Sequence, residues 1–359
     1  AHFGRAMKGR MAGFIRGQIG PVKEVVAIDD HTIEFRMQRP HPAFRAALTS
    51  PFQFLWVNAP RHTQELGLFV TKRPVGTGPY MMEEWEQGVS ITLVRNPHYR
   101  HPEKQYLDKI VMPLLPKEEA RINALKAGDI DLFITNSGKL AKSAERDPDI
   151  EVFAQIDQGA GIVAFDNSRP PFDDIRVRKA LAHAVNRAVE VKAALGGTGG
   201  ILATDWFGPE SEWYCGGNTG YPEFNPDKAK ALLSAYGKPV KFKLSVLTFP
   251  VFMIGAQVHQ TFWKRVGIDV EIDPRPPGPA WGGPLRRGEF QAWFLGIGGA
   301  VDPGFQAQNF HSRSRGNYYK FRNPEVDAAL QATWRPYRDK AERKAAFCNY
   351  VRTVIKYQP

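Results

Sequence analysis

A glycine-rich stretch late in the chain has the clearest capacity to bind a small molecule. Residues 293–310 read WFLGIGGAVDPGFQAQNF, an apolar run followed by glycines, with Asp302 as the one carboxylate. The apolar run predicts a buried strand, and the glycines after it would let the backbone approach a ligand closely. The stretch therefore indicates binding rather than covalent chemistry.

Residue patterns for nucleotide binding or catalysis are incomplete. Gly76-Thr77-Gly78 begins like a phosphate loop, but a strand rather than a helix is predicted after it. Gly138-Lys139 lacks the Ser or Thr that completes a P-loop, and the chain has neither a G-x-S-x-G nor an H-E-x-x-H motif. We expect no catalytic residues, no metal and no cofactor. An α/β enzyme with an unrecognised site stays an alternative.

Composition leaves two functional classes open. The 359 residues predict two or three domains, and the net charge of +11 would suit a nucleic-acid-binding protein. The basic residues are spread along the chain, however, which favours a basic protein that binds no nucleic acid. No apolar run reaches the roughly 18 residues of a membrane helix. The two cysteines, Cys215 and Cys348, exclude a disulfide framework, and the sequence leaves their pairing open.

The first half of the chain predicts a hairpin, a glycine turn and a β-α-β unit. Alternating residues predict strands over 22–28 and 32–37. Gly76 and Gly78, which allow positive φ, predict a tight turn, followed by an extended segment under which Trp85 packs. Strands over 108–115 and 129–133, joined by a helix, predict parallel pairing.

The second half predicts alternating helices and strands. One continuous helix is expected from an Asp173 or Asp174 cap to Gly196. Asn-Pro pairs at 225–226 and 323–324 predict two further helix starts. Strands are predicted over 240–247 and 268–272, and residues 290–299 predict a buried strand that runs into a Gly-rich loop. The fold class is therefore α/β, and such sheets bind ligands at the carboxyl ends of their strands.

Five sequence blocks give the chain a resemblance to a known family. GTGPYMMEEWEQGVSITLVRNPHYR, LDKIVMPLLPKEEARINALKAGDIDLF and FDNSRPPFDDIRVRKALAHAVNR occur in the order expected, before YPEFNPDKAKALL and NYYKFRNPEVDAAL. The chain thereby resembles the extracytoplasmic solute-binding proteins of family 5, the peptide- and nickel-type receptors of ABC importers. The resemblance covers nearly all of residues 20–350.

The resemblance implies a bilobal periplasmic-binding-protein-like fold of type II, with two lobes, a hinge and an accessory domain. Residues 1–102 would form the accessory domain and part of the first lobe, 103–165 part of the first binding lobe, and 166–359 the second binding lobe. Compared with the family, we expect this chain to be truncated at both ends. Gly76–Tyr80 would be structural.

The resemblance also places candidate ligand contacts. In the family, the place of Gly296–Asp302 reads Gly-Trp-Gly, then an acidic residue that holds the α-ammonium in peptide binders, then Asp-Pro. Here Ile297 replaces the Trp, and Gly299 and Ala300 stand where the acid is expected. Capture of an α-amine by this loop is therefore not carried over. The full set of candidate ligand-binding residues is Phe294, Gly296, Ile297, Gly298, Asp302, Trp281, Phe305, Asn309, Asn167 and Asn136.

The resulting expectation is a receptor that captures a peptide-like solute between two lobes and delivers it to a membrane permease. We expect a monomer that is periplasmic or otherwise extracytoplasmic and lipid-anchored, with its signal peptide outside this chain. The alternatives are a receptor for an opine, a sugar or a metal chelate, and a nucleic-acid-binding protein.

Overall fold

The computed structural model describes residues 19–49, 57–66, 73–153, 160–196, 200, 202, 204–278, 283, 285, 287–297, 302–304, 308–314 and 316–358. The chain forms two compact units. The first contains 24–36 and the described part of 51–134, and the second contains 19–23, 37–49 and the described part of 135–358. The three predicted lobe ranges stay a prediction, because a division into compact units does not show which parts of the chain close on a ligand.

The predicted hairpin and the short helix after it are present. β1 (Val22–Ala27) and β2 (Ile33–Met37) form a two-stranded sheet, and α1 (Phe44–Thr49) follows. Asp29 stabilises the turn between the strands by accepting a hydrogen bond from the backbone N–H of His31 at 2.8 Å.

An antiparallel sheet lies in the first unit. It is built from β3 (Tyr80–Glu86), β4 (Ser90–Arg95) and β5 (Lys109–Pro113), with α2 (Pro60–Leu66) and α3 (Glu118–Ala127) in the same unit. The predicted parallel β-α-β unit is wrong, because β5 pairs antiparallel with β4 and residues 129–133 are not a strand. Leu132 is 74% exposed, and the stretch has no partner strand in the described part of the chain.

The glycine block before β3 is held by side-chain amides. Asn96 donates from Nδ2 to the Gly78 carbonyl at 2.8 Å, and Gln105 donates to the Asn96 carbonyl at 2.9 Å. Neither Gly76 nor Gly78 uses the positive φ that a glycine allows; in this region positive φ belongs to Gly88, in the β3–β4 turn. These bonds support the structural interpretation of the block.

The prediction that Trp85 packs beneath its strand is also wrong. The β3–β4 register shifts between Met82 and Glu84, which changes the alternation of side chains along β3. Trp85, beyond that irregularity, is 41% exposed.

A four-stranded mixed sheet with helices on both faces forms the core of the second unit. Its strands are β6 (Ala160–Phe165), β7 (Lys241–Leu247), β8 (Asp269–Arg275) and β9 (Ala292–Ile297), in the order β6-β9-β7-β8. β6 runs antiparallel to β9, whereas β7 is parallel to both β8 and β9.

Each face of this sheet has its own apolar core. The first face packs α5 (Ile175–Ala184), α7 (Pro226–Tyr236) and α8 (Pro250–Arg265), and the second packs α9 (Pro324–Ala332) and α10 (Lys340–Tyr357). Side chains that alternate along β9 divide between the two cores: Phe294 joins the first, and Trp293 and Leu295 join the second.

The predicted continuous helix over 173–196 is two helices. Asp174 caps α5 as expected, but α5 ends at Ala184 and α6 (Arg187–Leu195) begins after Asn186. Asn186 accepts hydrogen bonds from the next turn's backbone, and this cap competes with continuation of the helix. Gly196 ends α6 in a left-handed conformation, as predicted. The shorter α4 (Gly138–Ala144) precedes β6.

The two cysteines, whose pairing the sequence left open, form a disulfide. Cys215 and Cys348 lie 133 positions apart, with their Cα atoms 5.4 Å apart. The bond joins α10 to the segment before Gly216. Cys215 also donates its backbone N–H to Asp205 at 3.1 Å. Burial raises the pKa of Asp205.

Candidate functional site

The carboxyl ends of three parallel strands meet at one edge of the second unit's sheet. β7, β8 and β9 end there at Leu247, Arg275 and Ile297. A backbone hydrogen bond of 3.1 Å from Thr248 N to the Arg275 carbonyl closes the edge between two of them. β6 is antiparallel and contributes its first residue, Ala160, opposite Ile297. This edge, called the carboxyl edge below, is where open α/β sheets bind ligands.

Two glycines face each other across β6 and β9 at the carboxyl edge. Gly161 is the register partner of Gly296. A Cβ on Gly296 would lie 2.9 Å from the ring of Phe252, whereas a Cβ on Gly161 would meet nothing within 4 Å. Gly296 thus makes room for a ring, and Gly161 leaves bare backbone next to it. Bare backbone offers a ligand close approach to peptide groups.

Aromatic side chains border this bare backbone. Phe249 and Phe252, at the start of α8, have ring centroids 5.9 Å apart in an edge-to-face arrangement. Phe249 is 43% exposed, so its ring presents apolar surface at the carboxyl edge. Apolar walls beside a few fixed polar groups are typical of small-molecule sites.

The structure places the predicted contact Phe294 in the core. Its side chain is 2% exposed and packs against Phe252 and His259, with ring centroids 6.2 and 5.3 Å away. Phe294 therefore packs beneath Phe252 in the core and presents no surface to a ligand. Ile297 is described through its backbone, which pairs with Ala160. Gly298, Trp281 and Phe305 lie outside the described residues.

The carboxylate of Asp302 forms an ion pair with an arginine. Its two carboxylate oxygens each accept a hydrogen bond of 2.6 Å from Arg343 of α10, and one also accepts from the backbone of Gly304 at 2.9 Å. Asp302 is 6% exposed. A bidentate pair of this kind is strong and directional. The carboxylate fixes the backbone after β9 to the last described helix.

A histidine whose two ring nitrogens are buried lies beside this ion pair. Neither ring nitrogen of His41 has a hydrogen-bond partner among the described residues. Burial, together with the neighbouring charge of Arg39, lowers the pKa of His41 to about 4, although Asp302 acts in the opposite direction. His41 is therefore neutral at pH 7, which leaves Arg343 as the partner of Asp302.

Asn167 lies at the opposite edge of the sheet. It follows the carboxyl end of β6, where it donates from Nδ2 to the carbonyls of Phe165 and Tyr319 at 2.9 and 3.2 Å. Because β6 and β9 are antiparallel over six pairs, this end is about 17 Å from Ile297. The structure therefore does not bring Asn167 to Gly296 or Ile297.

The neighbouring Asp166 ties the same edge together. It accepts hydrogen bonds from Ser168 and Lys320 at 2.6 and 2.9 Å and pairs with Arg169 at 2.8 Å. Burial alone would raise the pKa of Asp166, but the hydrogen bonds from Ser168 and Lys320 hold it below its usual value. This cluster explains the acidic residue of the FDNSRPPF block as structural.

The remaining candidate asparagines lie in separate places. Asn309 lies in a short 3-10 helix, and its Oδ1 is 2.9 Å from where a Cβ on Gly316 would be. Asn136 is exposed, directly before the Ser137 cap of α4. No contact in the described chain joins either of them to Gly296.

Sequence reasoning missed Gly161, Phe252 and Arg343. A glycine opposite a glycine is visible only once the β6–β9 register is known. Phe252 carried one signal, the Pro250 that begins a helix directly after a strand. Arg343 is 41 positions from Asp302, and nothing in the sequence pairs them.

The described residues contain neither a metal-binding cluster nor a helix that could span a membrane. No group of three or more His, Cys, Asp or Glu side chains is arranged to hold a metal ion there. Within the same residues, no helix is both long and apolar enough to cross a bilayer.

Comparison with curated proteins gives relatives that bind solutes. The di/tripeptide-binding protein 1 of Pseudomonas aeruginosa is 24% identical over 77% of this chain and 53% of its own length. The heme-binding protein A of Haemophilus influenzae is 27% identical over 86% of this chain and 58% of its own length. The chain therefore spans between 53% and 58% of these two relatives.

Comparison with solved structures confirms the α/β periplasmic-binding-protein-like fold. The ABC transporter-associated periplasmic binding protein DppA from Helicobacter pylori, solved with the peptide STSA, superposes with a TM-score of 0.89. It is 25% identical, and the match covers 100% of this chain and 73% of that one. The family model of the bacterial extracellular solute-binding proteins, family 5, matches residues 3–319. The chain belongs to the bacterial extracellular solute-binding proteins of family 5.

Proposed function

We propose that this chain is the solute-binding part of an ABC importer's extracytoplasmic receptor and that its solute is a peptide. The solute would contact the carboxyl edge, where Gly161 exposes backbone beside Gly296 and the ring of Phe252 that packs over it. The receptor would pass the solute to a membrane permease and catalyse no reaction. Capture between two closing lobes stays a prediction.

The observation that carries the proposal is the bare backbone at Gly161. Extended peptides are bound largely through main-chain hydrogen bonds, with apolar pockets for their side chains. A strand pair that has glycines at its end, next to Phe252, whose ring contacts the half-exposed ring of Phe249, offers both. The similarity to a di/tripeptide-binding protein and to a structure solved with a peptide supports the same class of solute.

The disulfide supports the extracytoplasmic location. Structural disulfides persist in oxidising compartments such as the periplasm and are rare in reducing cytoplasm. The Cys215–Cys348 bond lies against the core of the second unit, with Cys348 6% exposed. A lipid anchor and a monomeric state are further parts of the proposal, and no contact described above bears on them.

A thermal-shift screen of the full-length protein tests the function. We expect di- to pentapeptides to raise the unfolding temperature, because a ligand at 100 times its Kd stabilises the native state by about 2.7 kcal/mol. Opines, sugars, heme and Ni²⁺ chelates are screened as non-peptide ligands. Stabilisation by one of these ligands and by no peptide would contradict the peptide assignment.

A DNA-binding measurement tests whether the basic composition reflects binding to nucleic acid. Binding of non-specific DNA that weakens steeply with salt would favour the nucleic-acid alternative instead. We expect no such binding, since the positive charge of this chain is distributed along the sequence.

A further inference from the structure

One face of α8 packs against the last residues of β9. Phe252, Gly255 and His259 are spaced by three and four positions, which puts them on the same side of the helix, called the α8 seam below. The rings of Phe252 and His259 lie 6.2 and 5.3 Å from the ring of Phe294, measured between centroids. Gly255 leaves room for that ring, because an added Cβ would lie 2.6 Å from it. The α8 seam therefore covers Phe294.

The imidazole of His259 is held from a neighbouring helix. Its Nε2 lies 2.9 Å from the carboxylate of Glu190 on α6, and the ring nitrogen donates this hydrogen bond because a carboxylate only accepts. The side chains of His259 and Glu190 are 12% and 19% exposed. The other ring nitrogen, Nδ1, is buried and has no hydrogen-bond partner among the described residues. Glu190 therefore orients this ring.

The bond to Glu190 joins α8 to its surroundings close to the start of the helix. Two other side-chain bonds lie farther along. Gln260 donates to the Val270 carbonyl of β8 at 2.7 Å. Trp263 donates to the Leu181 carbonyl of α5 at 3.0 Å. Of these three bonds, the one to Glu190 is therefore best placed to restrain the first turns of α8, which reach the carboxyl edge.

The α8 seam sets the apolar wall of the carboxyl edge. Phe252 packs over Gly296, where an added Cβ would lie 2.9 Å from its ring. The ring of Phe252 also contacts that of Phe249, which is half-exposed. Gly161, the register partner of Gly296, leaves open backbone next to Gly296. A shift of Phe252 would therefore change the surface that a solute meets.

We propose that His259 and Glu190 are positioning residues of the carboxyl edge. Glu190 orients the imidazole, and the imidazole keeps the α8 seam packed against β9. Phe252 thereby stays over Gly296. Neither His259 nor Glu190 would contact the solute. The proposal rests on the proposed function for its effect on solute affinity, whereas the positioning concerns the protein alone, and the two parts are tested separately.

Amide hydrogen exchange of the full-length protein tests the positioning without a ligand. His259→Phe keeps a ring against β9 but removes the donor, and Glu190→Leu removes the acceptor. Exchange at 251–255 and 294–297 should accelerate by about tenfold in both variants, and by less than about threefold at 340–357, on the other face of the sheet. Equal acceleration at all three ranges, or none in His259→Phe, would overturn the positioning role.

Two further variants separate a hydrogen-bonded pair from two independent residues. Glu190→Gln still presents an amide oxygen to Nε2, so its exchange should stay within about threefold of the wild-type protein. The double variant His259→Phe/Glu190→Leu should exchange no faster than either single variant, because each single change already breaks the bond. Gln257→Leu, at an exposed position of α8, is the matched control and should change nothing. Effects that multiply in the double variant, or equal acceleration in Glu190→Gln and Glu190→Leu, would overturn the pair.

Calorimetry with the tripeptide Ala-Ala-Ala tests the effect on the solute. We expect the Kd to rise by about tenfold in His259→Phe and in Glu190→Leu, and to stay within about threefold of the wild-type value in Gln257→Leu. An unchanged Kd alongside accelerated exchange would overturn the effect on the solute. If the wild-type protein binds neither Ala-Ala-Ala at about 1 mM nor any peptide of the thermal-shift screen, the peptide assignment under the proposed function fails, while hydrogen exchange still decides the role of the pair.

Discussion

Removal of the Cys215–Cys348 bond should destabilise the second unit strongly. The bond ties α10, which carries Arg343, to the segment that contains Trp213. Cys348 is buried among the side chains that cover one face of the sheet, next to Phe347. Reduction, or the variant Cys215→Ala/Cys348→Ala, therefore releases one layer of the unit from a distant loop.

The magnitude follows from the length of the chain that the bond closes. The sequence separation is 133 residues, and the chain-entropy expression of 2.1 + 1.5R ln n cal/mol/K then gives about 5 kcal/mol at 25 °C. Domains are stable by about 5–15 kcal/mol in total, so this loss is a large fraction of the stability.

Guanidinium unfolding followed by tryptophan fluorescence measures the effect, because Trp206, Trp213, Trp263 and Trp293 all lie in the second unit. The midpoint of the wild-type protein should fall on addition of dithiothreitol. The double alanine variant should start at the lower midpoint and not respond to the reductant. A wild-type midpoint that is unchanged by reduction, with free thiols confirmed by mass spectrometry, would refute the reasoning.

Three further predictions concern single side chains. Gly161→Leu should weaken solute binding by at least about tenfold with little change in unfolding temperature, because the added side chain fills open space at the carboxyl edge. Gly76→Leu is the control variant. Equal binding of the solute by both variants would contradict the proposed site. Because the pKa of His41 falls from 6.5 to about 4 on folding, only the unfolded chain binds this proton between those pH values. The free energy of unfolding should therefore decrease by about 3 kcal/mol as the pH is lowered from 6.5 to 4. In His41→Leu, the free energy of unfolding measured in urea should depend less on pH over that window. The same pH dependence in the variant and the wild-type protein would exclude His41 as the cause. Asn186→Ala should cost about 1 kcal/mol in the same assay by removing the cap of α6, and a neutral result would show that the break at Val185 does not depend on the cap.

Local signals predicted the elements of the second unit well. The caps Asn225 and Asn323, each followed by proline, begin α7 and α9 where the sequence placed them. The alternation over 240–247 and the apolar run before Gly296 both correspond to strands. These features depend on neighbouring residues, so they can be read from sequence directly.

Features that depend on distant partners could not be predicted. Residues 129–133 have the composition of a strand, yet a strand also needs a neighbour, and none pairs with them in the described chain. The glycine-rich stretch was identified as a candidate, but the occupation of Asp302 by Arg343 depends on how α10 packs. The separation of Asn167 from Gly296 likewise follows from an antiparallel register that no local pattern encodes.

Amide hydrogen exchange with and without the best peptide from the thermal-shift screen tests the central claim most directly. The full-length receptor, saturated with that peptide, should be protected at 160–163, 248–252 and 294–297, the described backbone of the carboxyl edge. Peptides covering 165–171 and Tyr319, at the opposite edge, should not change. Protection confined to that opposite edge, or absent from both edges while the peptide is bound, would contradict the account.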